Sequence, residues 1–431
     1  MSHRSSARSP QRGWLYALPA FAALLTARAA GAEELSAGDT AWMLTSSALV
    51  LLMTLPGLAL FYGGLVRSKN VLSVLMQCLI SAGMAGLLWV VAGYSLAFSG
   101  DGAFIGNFDK LGLRGITPDT LSGTIPEYVF VAFQGMFAII TPALMLGAFA
   151  ERMRFGPYLA FITLWLFLVY IPLAHMVWGG GFIAGLGAID FAGGLVVHMS
   201  SGFSALVGCL ILGPRRGYGR DPMPPHSLPL TVIGAALLWV GWFGFNAGSE
   251  LAADGVAGLA FLTTNTAAAT AVMTWAFVEW LHRGKPTVLG GATAAVAGLV
   301  AITPACASVT PIGAIWVGLG AGVICYGAVT LLKPALGYDD SLDVFGVHGI
   351  GGLWGALATA LFISEVSDLG YGGQIMAQIK SIVFVAVFAP AVSAAILYLL
   401  KAVFGGLRVS EEQEFEGVDI VEHSETAYTT Q

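Results

Sequence analysis

Apolar runs long enough to cross a membrane, separated by short polar stretches, occupy most of this chain. Eleven follow one another, at residues 41–66, 71–98, 129–150, 156–176, 193–213, 228–247, 255–281, 288–304, 312–332, 344–364 and 379–404. Each falls within or above the roughly 17–25 residues that a helix needs to span ~30 Å of hydrocarbon. A helix satisfies its own backbone in lipid, so the pattern predicts an all-α integral membrane fold of eleven transmembrane helices over 33–404, with a polar tail at 405–431. The start of the chain differs. Arg4, Arg8 and Arg12 precede an apolar stretch over 14–25, and Ala30-Gly31-Ala32 precedes Glu33, the pattern of a removable signal peptide over 1–32.

An odd number of crossings puts the two mature ends on opposite sides. Arg67 and Lys69, Arg152 and Arg154, Arg215, Arg216 and Arg220, Arg283 and Lys285, Lys333, and finally Lys401 and Arg408 all fall on one set of sides, which the positive-inside rule makes the cytoplasm. Glu127, Glu250, Asp254, Glu365 and Asp368 occupy the other, with Lys110 and Arg114 confined to one long outer loop and Lys380 the one residue out of pattern. The expected setting is the inner (cytoplasmic) membrane, with the mature amino terminus outside and the carboxyl terminus cytoplasmic.

Segments one to five and six to ten form two halves of odd count, so the second half is inverted relative to the first and the eleventh segment is extra. His198 and His348 stand at equivalent points: each ends a Val-His pair and each follows an aspartate, Asp190 or Asp340, by eight residues. Eight helical residues cover about 12 Å, against a half-membrane of about 15 Å, so the two rings are expected to meet near the centre.

Composition agrees with a lipid solvent: 57% of the 431 residues are hydrophobic and 10% charged, too few to surface a soluble fold of this size. The net charge of -6 sits in loops and tail and marks no nucleic-acid partner. Cys78, Cys209, Cys306 and Cys325 lie in or beside apolar segments without CxxC spacing, as small core residues do. The 57 glycines recur in pairs such as Gly193-Gly194 and Gly351-Gly352, which let helix backbones approach. The Gly179-Gly180-Gly181 run reads equally as close packing or as unwound backbone beside a cavity.

Two histidines without a third donor make a poor zinc site, and no metal or cofactor is expected. The bland reading is a pair of core histidines, each bonded to a backbone carbonyl. The sharper one is a shared proton on an apolar path that passes a small neutral molecule and refuses hydrated Na⁺ and K⁺. Aromatics at the outer ends, Trp178, Phe137 and the 242–245 group with Ser249, read singly as an interfacial belt; together, two aromatic faces and a hydroxyl could hold a small desolvated cation. No HExxH, GxSxG or acidic cluster supports an enzyme, and a tail under 30 residues is too short for a signalling domain.

Phe133-Gln134, Phe137, Thr141-Pro142, Gly147 to Arg152, His175 to Gly181, Asp190 to Gly194, Val197-His198, Gly241 to Ser249, Thr303 to Cys306 and Asp343 to Gly349 together resemble the ammonium transporter (Amt) family, and its bacterial branch within the Amt/Mep/Rh superfamily. The resemblance runs from about residue 40 to the tail. It implies a homotrimer with one pore per subunit, and a cargo of ammonium or ammonia with methylammonium as a second candidate. By the same resemblance Phe137, Trp178 and Ser249 form an outer recruitment site supported from behind by Asp190, Phe137 and Phe245 are gate rings, and His198 and His348 are the pore pair. Trp178 and Ser249 favour this branch over Rhesus proteins. Met136 departs from the family pattern, which has a small hydroxyl residue beside the gate. The tail, a frayed terminus if taken alone, resembles one through which subunits couple and meet a PII signal protein. The alternative within the same fold is an ammonium sensor with little transport.

Overall fold

The computed structural model describes residues 34–428, so the leader expected over 1–32 lies outside the described residues. Among these, nine helices are long and apolar enough to cross a membrane: α1 (Ala37–Leu65), α2 (Ser68–Phe98), α3 (Glu127–Phe149), α4 (Phe155–Gly185), α5 (Gly194–Leu212), α6 (Leu228–Glu250), α7 (Gly255–Arg283), α9 (Pro311–Leu336) and α11 (Gly370–Val403). Two shorter apolar helices, α8 (Val288–Ile302) and α10 (Phe345–Leu361), stand where the remaining two segments were expected. The chain is a multi-pass helical membrane protein.

Local chemistry sets the helix starts. Ser36 accepts from the Asp39 N–H, Asp254 from Val256 and Ala257, Thr287 from Gly290, and Thr310 from Gly313 with Pro311 in the first turn. Each side chain thereby satisfies an N–H that has no partner within its helix. Inside α1, Pro56 removes one donor, and a π-helical turn over Met53–Leu58 absorbs the break.

α3 is buried on almost every side, whereas α7, α9 and α11 turn Met273, Phe277, Leu281, Val323, Val383 and Leu399 outward. That exterior needs lipid or another apolar surface. At the centre α5 crosses α10 so closely that a Cβ on Gly202 would lie 2.1 Å from the Gly349 nitrogen, and one on Gly352 would lie 2.9 Å from the Gly194 oxygen. The glycine pairs therefore serve close approach, as their spacing suggested.

The two ends of the bundle differ. At one end the start of α1 is tied to the turn of a small hairpin, β1 (Leu121–Ser122) with β2 (Ile125–Pro126), through Ser36 N to Thr124 O at 2.9 Å. At the other lies a buried ionic network: Arg215 donates to Asp339 at 2.8 Å and to Glu151 at 3.0 Å, and Arg67 also pairs with Glu151 at 2.8 Å. Burial would raise both carboxyls, yet the arginines hold Glu151 and Asp339 below their ordinary range.

The tail docks at the same end, beside this network. Its helices are α12 (Glu411–Glu416), opened by a Ser410/Gln413 capping box, and α13 (Val418–His423). Asp419 accepts from Leu72 N at 3.0 Å and Ser73 N at 2.8 Å, capping the long α-helical part of α2 from outside, and Glu414 pairs with Arg408 and accepts from Arg216 N at 2.7 Å. A segment that composition alone would leave frayed is thus ordered by contacts distant in sequence.

Candidate functional site

Both histidines lie within one turn of a helix start, not two turns in as the Asp-to-His spacing suggested. α5 opens with a π-helical turn over Gly194–Met199 and α10 with one over Phe345–Gly349. The aspartates are caps rather than first-turn residues. Asp190 accepts from Gly193 N at 3.1 Å, Leu195 N at 2.9 Å and Val196 N at 3.0 Å; Asp340 accepts from Phe345 N at 2.7 Å. In both halves the carboxylate reaches the residue five positions on, where the unsatisfied N–H groups and the helix dipole favour an anion. Burial nevertheless pushes both carboxyls up to about 6, against those N–H groups at Asp190 and against Lys333 at Asp340.

The late starts do not keep the rings apart, because the helices begin inside the bundle: Asp190, Ala192 and Gly193 ahead of α5, and Asp339 and Asp340 ahead of α10, are themselves buried. Gly193 turns this segment into the helix at φ 113°, a conformation that favours glycine. His198 and His348 then approach with Nδ1 to Nδ1 at 3.2 Å and ring centroids 5.3 Å apart. Only one of those nitrogens can donate to the other, so the pair shares a single proton across the contact. The reading of two separate core histidines, each on a carbonyl, is not what these rings do.

Four further rings continue the line. Trp242 stacks on His198 at 5.4 Å, Phe245 lies 6.0 Å from the same ring, Phe137 stacks on Phe245 at 4.2 Å, and Trp178 meets Phe137 edge-on at 5.8 Å. Phe137, Phe245, Trp242 and both histidines are at most 3% exposed, while Trp178 is half-buried. The Trp178 indole donates to the Asp190 carbonyl at 2.9 Å, so Asp190 holds the indole by its backbone and the α5 start by its side chain. Ser249 sits one turn beyond Phe245, its hydroxyl on the Phe245 carbonyl at 2.8 Å. Met136, partly buried, packs against the same core.

Cavities lie on both sides of the histidines. The first, bounded by Phe245, Trp242, His198 and His348 with Ile140 and Leu238, leaves about 10 Å³ in which a water-sized centre can move, close to the room for a single molecule. The Nε2 of His198, which is among its lining residues, is buried without a hydrogen-bond partner. The second, about 170 Å³, is bounded by His348, Tyr62, Thr293, Ser341 and Asp343 and faces the tail end. The first cavity has room for a small molecule and none for a hydrated ion.

The Ammonium Transporter Family profile matches residues 41–428. This chain belongs to that family. An ammonium transporter of Bacillus subtilis is 49% identical over 401 residues, covering 91% of this chain and 98% of the relative, and one of Aquifex aeolicus is 47% identical over 93% and 95%. Among solved structures, Candida albicans Mep2 superposes with a TM-score of 0.82 at 36% identity over 88% of each chain, and a protein described as a sensor Amt protein with 0.84 at 30% over 90% and 98%.

Of the residues singled out from the sequence of this family member, Trp178, Phe137, Phe245, His198 and His348 lie along one line of rings, with Ser249 bonded to the Phe245 carbonyl and Asp190 to the Trp178 indole beside it. Trp242, grouped in the sequence with the outer-end aromatics, instead stacks on His198 beside the histidine pair and donates to Thr303 Oγ1 at 2.9 Å. Its signal was available: Trp242, Phe245 and Ser249 at i, i+3 and i+7 share one helix face.

Proposed function

We propose that this protein is an ammonium transporter that recruits NH4⁺ at its tryptophan end, removes one proton and conducts NH3. The observation that carries the reading is the unbroken sequence of Trp178, the stacked Phe137 and Phe245, and the bonded His198–His348 pair, with single-molecule space beside it. Trp178, Phe137 and Ser249 offer ring faces and oxygens to a cation, worth about 0.5–2 kcal/mol per ring. Asp190 supports that site through the Trp178 indole. In the first cavity, between the stacked rings and the histidines, the lining is apolar except for the imidazoles and the Trp242 indole, so a charged cargo would lose its hydration without compensation. Ammonium can release a proton there and K⁺ cannot, which makes deprotonation the selective step. The Nδ1–Nδ1 contact offers the released proton a route past the cargo.

Relatives named as transporters favour transport over the sensor reading of the same fold. The same proposal places the protein in the inner membrane with the tryptophan end outside and the tail cytoplasmic. It includes a homotrimer, methylammonium as a second cargo, and a PII signal protein as partner of the docked tail. Ammonium-driven current across proteoliposomes tests the core of it: replacing both His198 and His348 by apolar residues should abolish the current, and an undiminished, still selective current would refute the relay.

A further inference from the structure

The run from His175 to Gly181 contributes Trp178 to the site, but its histidine and glycines have no part in the reading so far. His175 is fully buried in the last turn of the α-helical stretch Ile171–Trp178. Its Nδ1 lies 2.9 Å from the Ala97 carbonyl oxygen, and its Nε2 lies 2.5 Å from the Gly102 carbonyl oxygen. A carbonyl oxygen only accepts, and a neutral imidazole has a single N–H to give. With one proton on the ring, one of the two contacts would set two lone pairs against each other inside the protein, without water to separate them.

We propose that His175 is an imidazolium that donates from both nitrogens and acts as a positioning residue for Trp178. The inference rests on the transport reading above only for its functional consequence. Two features beyond the ring support it. The last turn of a helix favours a cation, because the helix dipole is negative there. The backbone is also built closely around the ring: a Cβ on Gly179 would lie 2.4 Å from the Ala97 oxygen and 2.7 Å from His175 Nδ1, and one on Gly181 would lie 2.7 Å from the Ala103 oxygen. At Gly179 and Gly181 the histidine, the Ala97 carbonyl and the neighbouring Ala103 carbonyl leave no room for side chains.

The titratable groups of the adjoining elements are engaged elsewhere or exposed. Tyr94 of α2 and Lys110 of the long loop both pair with Glu127 of α3, Asp109 accepts from Asn107, and Asp101 is exposed. The charge on His175 is therefore neutralised by carbonyl dipoles and not by a carboxylate among these. What it holds together is the end of α2, the loop at Gly102 and the end of α4. That junction sets Trp178 three residues on, whose indole must meet both the Asp190 carbonyl and the Phe137 ring.

The test is ¹⁵N NMR of histidine-labelled protein in nanodiscs, with the His175 signals identified by their loss in His175→Gln. The proposal expects both ring nitrogens of His175 to carry a proton at neutral pH, as two N–H donors facing two carbonyl oxygens require. One unprotonated nitrogen there would overturn the charge assignment, and this readout needs no transport. For the positioning role, His175→Gln should raise the ammonium concentration for half-maximal uptake roughly tenfold, as expected when one charge-assisted hydrogen bond is lost, with a smaller effect on the maximal rate. His175→Lys, which keeps the charge and several donors, should recover part of that loss. An unchanged half-maximal concentration in His175→Gln would overturn the positioning role.

Discussion

Gly202→Ala puts the pore geometry to its sharpest test, since it adds a single methyl group where two helices touch. The new Cβ would sit 2.1 Å from the Gly349 nitrogen, and ordinary contact begins near 3.4 Å, so α5 and α10 must separate locally by about 1.3 Å. The obstacle is backbone on both helices and no rotamer change relieves it. His198 lies one turn before Gly202 and His348 immediately before Gly349, so the same displacement acts on the imidazole pair. Their Nδ1 atoms are 3.2 Å apart, and an added separation of even a third of that displacement would carry the contact past hydrogen-bonding range. Overpacking of this kind destabilises by about 1–3 kcal/mol, which a bundle of this size survives. The expected result is a folded protein whose ammonium uptake in stopped-flow proteoliposome assays falls at least tenfold. Gly291→Ala, where an added Cβ meets nothing within 4 Å, should transport normally. Full uptake by folded Gly202→Ala protein would refute the claim that the ring contact carries the function.

Four further outcomes follow from other parts of the molecule. Trp242→Ala removes the ring stacked on His198 and opens a cavity that water can enter, so K⁺ flux should rise above that of the parent protein, along with about 3–5 kcal/mol of lost stability. Arg215→Met leaves Glu151 and Asp339 buried without their main partner and should cost about 3–5 kcal/mol, read as a lower Tm in detergent. Because both carboxyls are held below the ordinary range, the stability they contribute is present above about pH 4 and is lost only as pH falls through their lowered values, so the parent Tm should not drop on their account between about pH 8 and 5. Asp419→Ala removes two N–H acceptors at the α2 start, about 1 kcal/mol of capping, and should speed proteolysis of the tail while the helical bundle stays intact.

The spans were legible from the chain alone because lipid permits few solutions: any apolar run of sufficient length must be a helix, and eleven runs leave little choice of architecture. The histidine pair was legible for a related reason, since an ionisable group in an apolar segment is costly and its repetition after an aspartate in both halves marks two equivalent positions. Sequence spacing did not decide where each helix begins. Asp190 and Asp340 look like first-turn residues in a linear reading, but their carboxylates turn toward N–H groups three to six positions ahead, and only the folded backbone around Gly193 makes that turn. Trp242 is one apolar residue among many along the chain, and becomes a wall of the histidine cavity only where the fold stacks it on His198. The tail shows the same division. Its polar composition permits a frayed end, and its order comes from partners more than 300 residues away, Leu72 and Ser73, which no local pattern could supply. Periodicity and burial cost act along the chain and can be read there. The 3.2 Å between two imidazoles depends on how close two helices come, and that was decided by glycines meeting across a crossing that exists only in three dimensions.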